Sequence, residues 1–477
     1  MAIHIDPPTA EGNTLTTQVS PTGATARFFS GAPLEVQYDV DVGAVPESIL
    51  VIPALAHVCP VAWATGTDVT VERVDAEFAA AIADVRTAMC DMYDFLEGGE
   101  VHAGAVVGAQ MSEVDTDRSD VGSDSRDENG PAGVTEAETT GDGPSDRDGN
   151  GEGDGDHHRA GLLFTGGVDS TCSYVRHREE APTLISIRGW TISPSARDDD
   201  HWHHLLERTN TFAAECGLET AFVESNMLSF LDHPMLLAHF KRHVDGGWYS
   251  SVGHGLGLLG LCAPMARARG LDDLYIAATH WEGIDLEWGS RPDIDDAVRW
   301  RGTRCHHDAY DLTRQERLDV IAEYVRTTAP NLELQTCNVR MDGNCGTCEK
   351  CYRTAVGLRL SGLDPVSHGY EFVDGDYDEI RAALESGRWI LGEDEYHMWA
   401  DIRERARETD PRSTAEAEFF SWLETADLAS LVDSSRSPLH HRLLRAGARH
   451  TPHALYARLY PAWAVAKAGY RRLTPSR

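Results

Sequence analysis

The chain has 477 residues, ten cysteines and a formal net charge of −35. This length allows two or three domains, each large enough to bury its own core. Acidic residues outnumber basic ones by 77 to 42, which excludes nucleic-acid binding over the general surface and confines any RNA contact to a local patch. Only three of the basic residues are lysines. A high-salt, halophilic cytosol favours such a composition, and a GC-rich genome that favours arginine codons would also lower the lysine count.

The N-terminal 110 residues are predicted to form a small, separate α+β domain. Residues 34–40 alternate between apolar and polar side chains, which predicts a strand. The apolar spacing over residues 75–97 predicts one helix. Residues 1–20 show no basic region followed by an apolar core, and no apolar run approaches the ~20 residues that span a bilayer. We therefore expect a soluble, cytoplasmic protein.

Residues 111–158 are interpreted as a linker. They contain fifteen acidic and three basic residues, many Gly, Ser and Thr, and no aromatic residue. Such a segment cannot bury enough apolar surface to offset the entropy of ordering, so we expect it to be disordered and extended.

Strand and helix patterns alternate from His158 onward, over a predicted domain of residues 159–365. The predicted strands are 161–165, 183–188, 219–224 and 274–279, and the predicted helices are 169–178, 199–216 and 248–269. This succession predicts an α/β fold with a Rossmann-like parallel sheet, which binds ligands beyond the carboxyl ends of its strands.

The turn that follows the first of these strands has the features of a phosphate site. It reads Thr165-Gly166-Gly167-Val168-Asp169-Ser170-Thr171. The two glycines allow a tight turn and a close approach to a ligand. The hydroxyl groups of Thr165, Ser170 and Thr171 surround a helix N-terminus, where unpaired N–H groups and the helix dipole favour a polyanion.

Three other sequence patterns could also indicate a functional site. Residues 255–260 fit Gly-x-Gly-x-x-Gly, but they lie inside an apolar helical stretch, so close helix packing is the better interpretation. His201 and His204 share a helix face but have no carboxylate partner at a clear spacing. Residues 305–308 place Cys305 beside two histidines, which would suit sulfur transfer, although a polar loop without catalysis is favoured.

Four cysteines are clustered near residue 345. Cys337, Cys345, Cys348 and Cys351 give Cys-x7-Cys-x2-Cys-x2-Cys, which suits a closed, tetrahedral structural zinc site. A redox pair or an iron–sulfur cluster is the alternative.

The phosphate turn and the cysteine cluster together carry a resemblance. Thr-Gly-Gly-x-Asp-Ser resembles the PP-loop of the ATP pyrophosphatases, with Thr165 in place of the usual serine. The cysteine spacing about 170 residues downstream is similar to that of 7-cyano-7-deazaguanine synthase and its domain-fused relatives. The similarity covers roughly residues 160–362 and includes Arg291-Pro292-Asp293 and Leu312-Thr313-Arg314-Gln315-Glu316. The segment between His280 and Arg291 departs from the synthase.

The resemblance implies an ATP-dependent reaction with Mg²⁺ in which adenylate passes to a substrate oxygen and pyrophosphate leaves. Gly166, Gly167 and the N–H groups that follow would stabilise charge on the leaving pyrophosphate, and Thr165 and Ser170 would donate hydrogen bonds to it. Asp169 would either cap the helix or help to hold Mg²⁺.

The same resemblance assigns the remaining parts of the site. The backbone at Ile187 and Arg188 would contact adenine, and His280, Arg291 and Asp293 would face the substrate. A nitrogen nucleophile would then displace AMP, as in the synthase, where a carboxylate becomes an amide and then a nitrile. We expect a small-molecule substrate and a homodimer.

Residues 366–477 are predicted to be a helical C-terminal region. From residue 434 onward there are nine basic residues and no acidic one. This basic tail could bind RNA, a membrane surface or an acidic partner, but docking on the protein's own acidic face is favoured.

Two rival functions remain open. One is sulfur transfer to a tRNA base, with Cys305 as the carrier and the basic tail as the RNA contact. The other is a nucleotide-binding or protein-modifying accessory module, in which the terminal regions recruit a partner.

Overall fold

The computed structural model of the protein describes residues 2–108, 158–194, 198–241, 243–244, 246–340, 342–389 and 391–432, with positions 455, 458, 459 and 462. The predicted linker, apart from His158, lies outside the described residues, and so does nearly all of the basic tail. Within the described residues, no helix is both long and apolar enough to cross a membrane.

The described part of the chain forms both β-strands and α-helices, which are numbered here in chain order. The strands are β1 Ala2–Ile5, β2 Thr9–Glu11, β3 Thr14–Thr17, β4 Val19–Pro21, β5 Leu34–Tyr38, β6 Asp68–Asp75, β7 Val101–Val107, β8 Ala160–Leu163, β9 Thr183–Arg188, β10 Thr220–Ser225, β11 Asp273–Ala277, β12 Arg299–Trp300 and β13 Thr303–Asp308. The helices are α1 Glu47–Leu50, α2 Ile52–Trp63, α3 Ala76–Met92, α4 Val168–His177, α5 Asp199–Cys216, α6 Met227–Phe230, α7 His233–Phe240, α8 His254–Arg269, α9 Pro292–Asp295, α10 Arg314–Thr327, α11 Glu349–Leu360, α12 Gly375–Glu385, α13 Glu393–Arg407, α14 Thr414–Thr425 and α15 Leu428–Val432.

The larger sheet has nine strands in the order β12-β13-β11-β8-β9-β10-β5-β3-β2. Its central strands, from β13 through β10, are parallel. Nearly every residue of β9 is buried, which is typical of a strand covered by helices on both faces. The predicted α/β alternation and the mostly parallel sheet are therefore confirmed. The carboxyl ends of β8, β9 and β11 meet at one edge, where such sheets bind ligands.

The N-terminal residues continue this sheet, whereas the sequence suggested a separate domain. Strand β5 pairs antiparallel with β10 and extends the sheet through β3 and β2. Helix α2 is buried along its whole length and packs against α8. A Cβ atom on Gly260 would lie 2.4 Å from the Cβ of Ala56, so glycine permits this close packing. The two segments consequently share one hydrophobic core.

A smaller sheet has the strand order β4-β1-β6-β7. Strands β1, β6 and β7 are parallel, and β4 pairs antiparallel with β1. Helix α3 packs beside this sheet. It begins after Asp75, whose carboxylate caps the N–H groups of Glu77 and Phe78, and it ends at Met92, earlier than predicted.

Helix α8 explains the Gly-x-Gly-x-x-Gly pattern. The predicted helix over 248–269 begins with a π-helical turn, Tyr249–Gly253, and continues as α8. A Cβ on Gly255 would lie 1.7 Å from Oδ1 of Asp295. The glycines therefore serve packing, as expected from the sequence.

The C-terminal helices share a second hydrophobic core with α10 and α11. Helices α12, α13, α14 and α15 give the predicted C-terminal region its helical character as far as residue 432, and Trp399 and Leu423 are fully buried in their core. Helix α10 begins with a capping box in which Thr313 and Glu316 bond each other's backbone N–H groups.

Candidate nucleotide cavity and metal centre

The Thr-Gly-Gly turn lies between β8 and α4, as predicted. Gly166 has a φ of +72°, a left-handed conformation that favours glycine. The hydroxyl group of Ser170 lies 3.3 Å from the backbone nitrogen of Thr165 and 3.4 Å from its Oγ1 atom. Gly167 occupies the N-cap position and offers no side chain, so the first N–H groups of α4 have no acceptor from a cap. The turn is therefore suited to receive an anion.

A cavity of about 530 Å³ opens beside this turn. The lining residues that the sequence had singled out are Thr165, Gly167, Asp169, Ser170, Ile187 and Cys337. Gly166 shapes the turn without lining the cavity, and Thr171 is buried in α4. Arg188 does not line the cavity, and its guanidinium group donates to Glu224 at 3.0 Å and to the carboxylate of Asp199.

Asp169 is held by two arginines instead of capping the helix. Arg314 Nη1 donates to both carboxylate oxygens, at 2.7 and 2.6 Å, and Arg317 Nη1 donates to Oδ1 at 2.7 Å. Burial raises the pKa of Asp169, but the charges of Arg314 and Arg317 outweigh this effect and lower it to about 2. Asp169 is thus an ionised anchor for α10.

Arg317 links this anchor to the ends of two strands. Its side chain is fully buried and donates to the carbonyl oxygens of Ala278 at 2.6 Å, His280 at 2.6 Å and Ala309 at 3.0 Å. These carbonyls follow β11 and β13. The arginine therefore fixes the carboxyl edge of the sheet beside the cavity, a role that no sequence pattern indicates.

Three cationic side chains line the cavity, and no sequence motif had indicated a role for any of them. They are Arg208, Arg314 and Lys350. Arg208 donates to the carbonyl of Thr165 at 3.0 Å, and its buried Nε has no partner among the described residues. Lys350 Nζ lies 3.5 Å from Oδ1 of Asn338. One available signal was that Lys350 is among only three lysines in the chain.

The residues expected to face the substrate do not come together. His280 is buried, and burial lowers its pKa to about 4. Arg291 pairs with Asp293 at 3.3 Å and with Asp285 at 3.4 Å, and none of these side chains lines the cavity.

Aromatic residues that belong to no predicted motif form another part of the cavity wall. Trp190, His254 and Trp288 line it, and the rings of Trp190 and His254 are nearly perpendicular with centroids 4.2 Å apart. Burial lowers the pKa of His254 to about 3, so its imidazole is neutral at neutral pH. Nδ1 of His254 and Nε1 of Trp288 have no hydrogen-bond partner among the described residues. This wall can therefore offer polar contacts to a flat ligand.

The four cysteines form a compact group that can hold a metal ion such as zinc. Their ligand atoms all lie within 4.8 Å of one another, and the Cys337–Cys348 and Cys345–Cys351 sulfur pairs are 4.0 and 3.9 Å apart. Tetrahedral zinc–thiolate bonds of about 2.3 Å place sulfurs about 3.8 Å apart. Backbone N–H groups of Val339 and Arg340 point at the sulfur of Cys337, which favours a thiolate.

The cysteine group and the Thr-Gly-Gly turn share a wall. The N–H of Gln335 donates to the carbonyl of Gly166 at 2.8 Å. Two residues later, Cys337 lines the cavity, and Cys348 caps the helix that carries Lys350. Metal binding and the shape of the cavity are therefore linked through one segment of chain.

The other chemical groups noted in the sequence lie elsewhere. Residues 305–308 belong to strand β13, so the expectation of a polar loop is wrong. Cys305 is buried, and burial raises the pKa of its thiol well above the ordinary range. His201 is partly exposed, and its Nδ1 atom lies 3.7 Å from Oδ1 of Asp198. Across the described part of the chain, the cysteine group is the only cluster of His, Cys, Asp or Glu arranged to hold a metal.

Comparison of the chain with protein-family models, with curated proteins and with solved structures finds no match in any of the three.

Proposed function

We propose that the protein is an ATP-dependent, AMP-forming enzyme of the PP-loop type, similar in chemistry to 7-cyano-7-deazaguanine synthase. The observation that carries this proposal is the glycine turn at a helix N-terminus, which opens into a cavity lined by Arg208, Arg314 and Lys350. In a chain with a net charge of −35, such a local group of cations favours a polyanion.

The nucleotide phosphates would lie against the turn. Thr165 and Ser170 would donate their hydroxyl groups, and the first N–H groups of α4 would stabilise charge on the departing pyrophosphate. Arg208 and Lys350 would add charge from two other walls. The adenine ring would lie beyond Ile187, at the carboxyl end of β9.

Magnesium would accompany the phosphates. Asp169 is already neutralised by two arginines, so it is a poor ligand for a further cation. Asp394 also lines the cavity, and its carboxylate is the better candidate. The ion would supply charge neutralisation on the phosphate oxygens.

The reaction would activate a carboxylate or carbonyl oxygen. That oxygen attacks the α-phosphorus, the α–β bond breaks and pyrophosphate leaves. A nitrogen nucleophile then adds to the activated carbon, and AMP leaves with the oxygen. The aromatic wall of Trp190, His254 and Trp288 would hold the substrate during both steps. We propose that zinc in the cysteine group keeps this site in shape.

The first test is to incubate the zinc-loaded protein in molar KCl with ATP, Mg²⁺, ammonium and 7-carboxy-7-deazaguanine. We expect AMP and pyrophosphate that depend on the substrate, that are lost in Ser170→Ala and that persist in the surface control Ser229→Ala. Absence of ATP binding would refute the proposal. ATP binding without AMP under any substrate condition would favour the accessory-module alternative.

Sulfur transfer through Cys305 gains no support from the geometry. Its thiol is buried in the hydrophobic core shared with α8, and it does not line the cavity. AMP formation that is retained in Cys305→Ala would argue against that function directly.

A further inference from the structure

Strand β7 is an exposed edge of the smaller sheet. It pairs with β6 from Val101 to Val107, and no other described residue pairs with it. Gly104, Ala105 and Val106 are exposed, and Val106 keeps 50% of its surface accessible. An edge strand presents unpaired N–H and C=O groups, which are a template for another strand.

The other sheet edges are blunted, which makes β7 the exception. Strand β4 has three residues and ends at Pro21, β2 has three residues, and β12 has two. Strand β7 has seven residues and contains no proline and no charged side chain apart from the titratable His102. Natural proteins place proline or charged residues on a long exposed edge strand unless that edge has a partner.

The sequence of β7 matches itself in the antiparallel direction. It reads Val-His-Ala-Gly-Ala-Val-Val, which is nearly symmetric about Gly104. A two-fold axis at Gly104 would place Ala103 opposite Ala105 of a second copy, and His102 opposite Val106. No like charges would face each other, so this edge offers two strongly acidic molecules a contact without direct repulsion.

We propose that β7 is the contact of a homodimer, in which the β7 strands of two copies pair antiparallel about Gly104. The smaller sheets of the two copies then form one continuous sheet across the two-fold axis. This interface is independent of the nucleotide cavity and of the function proposed for it. Because both copies are acidic, the dimer forms more readily as salt screens their long-range repulsion.

The first test measures molar mass by light scattering across a concentration series in molar KCl. We expect the mass to rise from one chain of 52.3 kDa to two. Val106→Lys adds the charge that natural edges carry and should stay monomeric at every concentration. Val366→Lys is the matched control, because Val366 is also exposed, at 59%, and lies far along the chain outside the sheet. An unfolding midpoint equal to that of dilute, monomeric wild type shows that each variant is folded, because dimerisation by itself raises the midpoint.

The second test determines the register in which the two β7 strands pair. Opposed residues in an antiparallel pair have Cα atoms about 4.5–5.5 Å apart, which is within the range that a disulfide spans. His102→Cys combined with Val106→Cys should give a covalent dimer on oxidation, whereas each single variant should not.

Three outcomes would overturn the proposal. One is a wild-type protein that stays monomeric at all concentrations, as when another part of the same chain covers β7. Another is a dimer that survives Val106→Lys, which would place the interface elsewhere. The third is cross-linking of the single cysteine variants, which would contradict the register about Gly104.

Discussion

The backbone N–H of Gln335 donates a hydrogen bond of 2.8 Å to the carbonyl oxygen of Gly166. Gln335 also donates from its side chain to the carbonyl of Gly343, at 2.9 Å, within the cysteine segment. One residue thus joins the turn proposed to hold the nucleotide to the segment that holds the metal-binding thiols. A metal ion held by these thiols would therefore support the cavity.

Removal of the metal should therefore weaken ATP binding. Without a bound ion, the thiolates repel one another and the segment around Gln335 loses its fixed shape, so we expect the affinity to fall by about tenfold or more, or about 1.4 kcal/mol. Calorimetric titration before chelation, after it and after zinc is restored measures the change. Cys348→Ser should show the loss without a chelator, and Cys90→Ser, outside the cluster, should behave as wild type. An ATP affinity that does not change on chelation would show that the metal site and the ATP site are not coupled.

The Asp169–Arg317 pair should be costly to break from one side. Arg317→Met leaves the carboxylate with Arg314 alone and removes the donor to four strand-end carbonyls, so we expect a loss of about 3–5 kcal/mol in the free energy of unfolding. Asp169→Asn in the same chain should recover part of this loss. A double-mutant cycle by denaturant unfolding measures the coupling. Strict additivity of the two substitutions would show that the pair contributes no interaction energy.

His280 should make the fold sensitive to acid in a defined window. Burial lowers its pKa from 6.5 to about 4, so the unfolded chain takes up a proton before the folded chain does as the pH falls. The stability that this group contributes is complete above pH 6.5 and is lost as the pH falls to about 4, with a full effect of about 3 kcal/mol. His280→Gln should reduce the slope of unfolding free energy against pH in that window. An unchanged slope would contradict the buried, neutral imidazole.

Lys350 should contact the β- and γ-phosphates of ATP, which AMP lacks. Lys350→Ala is expected to weaken ATP binding by about 1.5–3 kcal/mol, the usual effect of losing a hydrogen bond from a charged group, and to change AMP binding much less. Lys350→Arg should recover part of the ATP affinity, and Lys241→Ala should have no effect. Equal losses for ATP and AMP would place Lys350 elsewhere along the nucleotide.

Salt should stabilise the folded chain. A net charge of −35 produces self-repulsion that dissolved ions screen, so the unfolding midpoint should rise from dilute to molar KCl. A non-ionic osmolyte at matched osmolality is the control, because it does not screen charge. An equal rise with the osmolyte would assign the effect to solvent exclusion instead.

The local structure of this chain could be predicted from its sequence because it depends on local patterns. The strand over 183–188 and the helix over 199–216 have the bounds that their apolar spacing and flanking residues predicted. The Thr-Gly-Gly turn and the cysteine spacing likewise lie within short stretches, where backbone freedom and ligand spacing are visible directly. The cluster of thiols at metal-binding distance follows from three of the cysteines lying three residues apart.

Which buried surfaces meet each other depends on packing between distant segments and could not be predicted from the sequence. Periodicity shows that β5 has an apolar face, but its pairing with β10 joins residues nearly two hundred positions apart. The sequence therefore suggested a separate N-terminal domain, whereas this segment shares a hydrophobic core with α8 and β10. The same limit hid the contact of Arg317 with Asp169, since a charged side chain is usually at the surface unless a distant partner neutralises it. Nor could the sequence predict that Cys305 lies in the core and that Lys350 lines the cavity. Such pairings depend on packing between segments far apart in the chain, and short-range patterns carry no record of the partner.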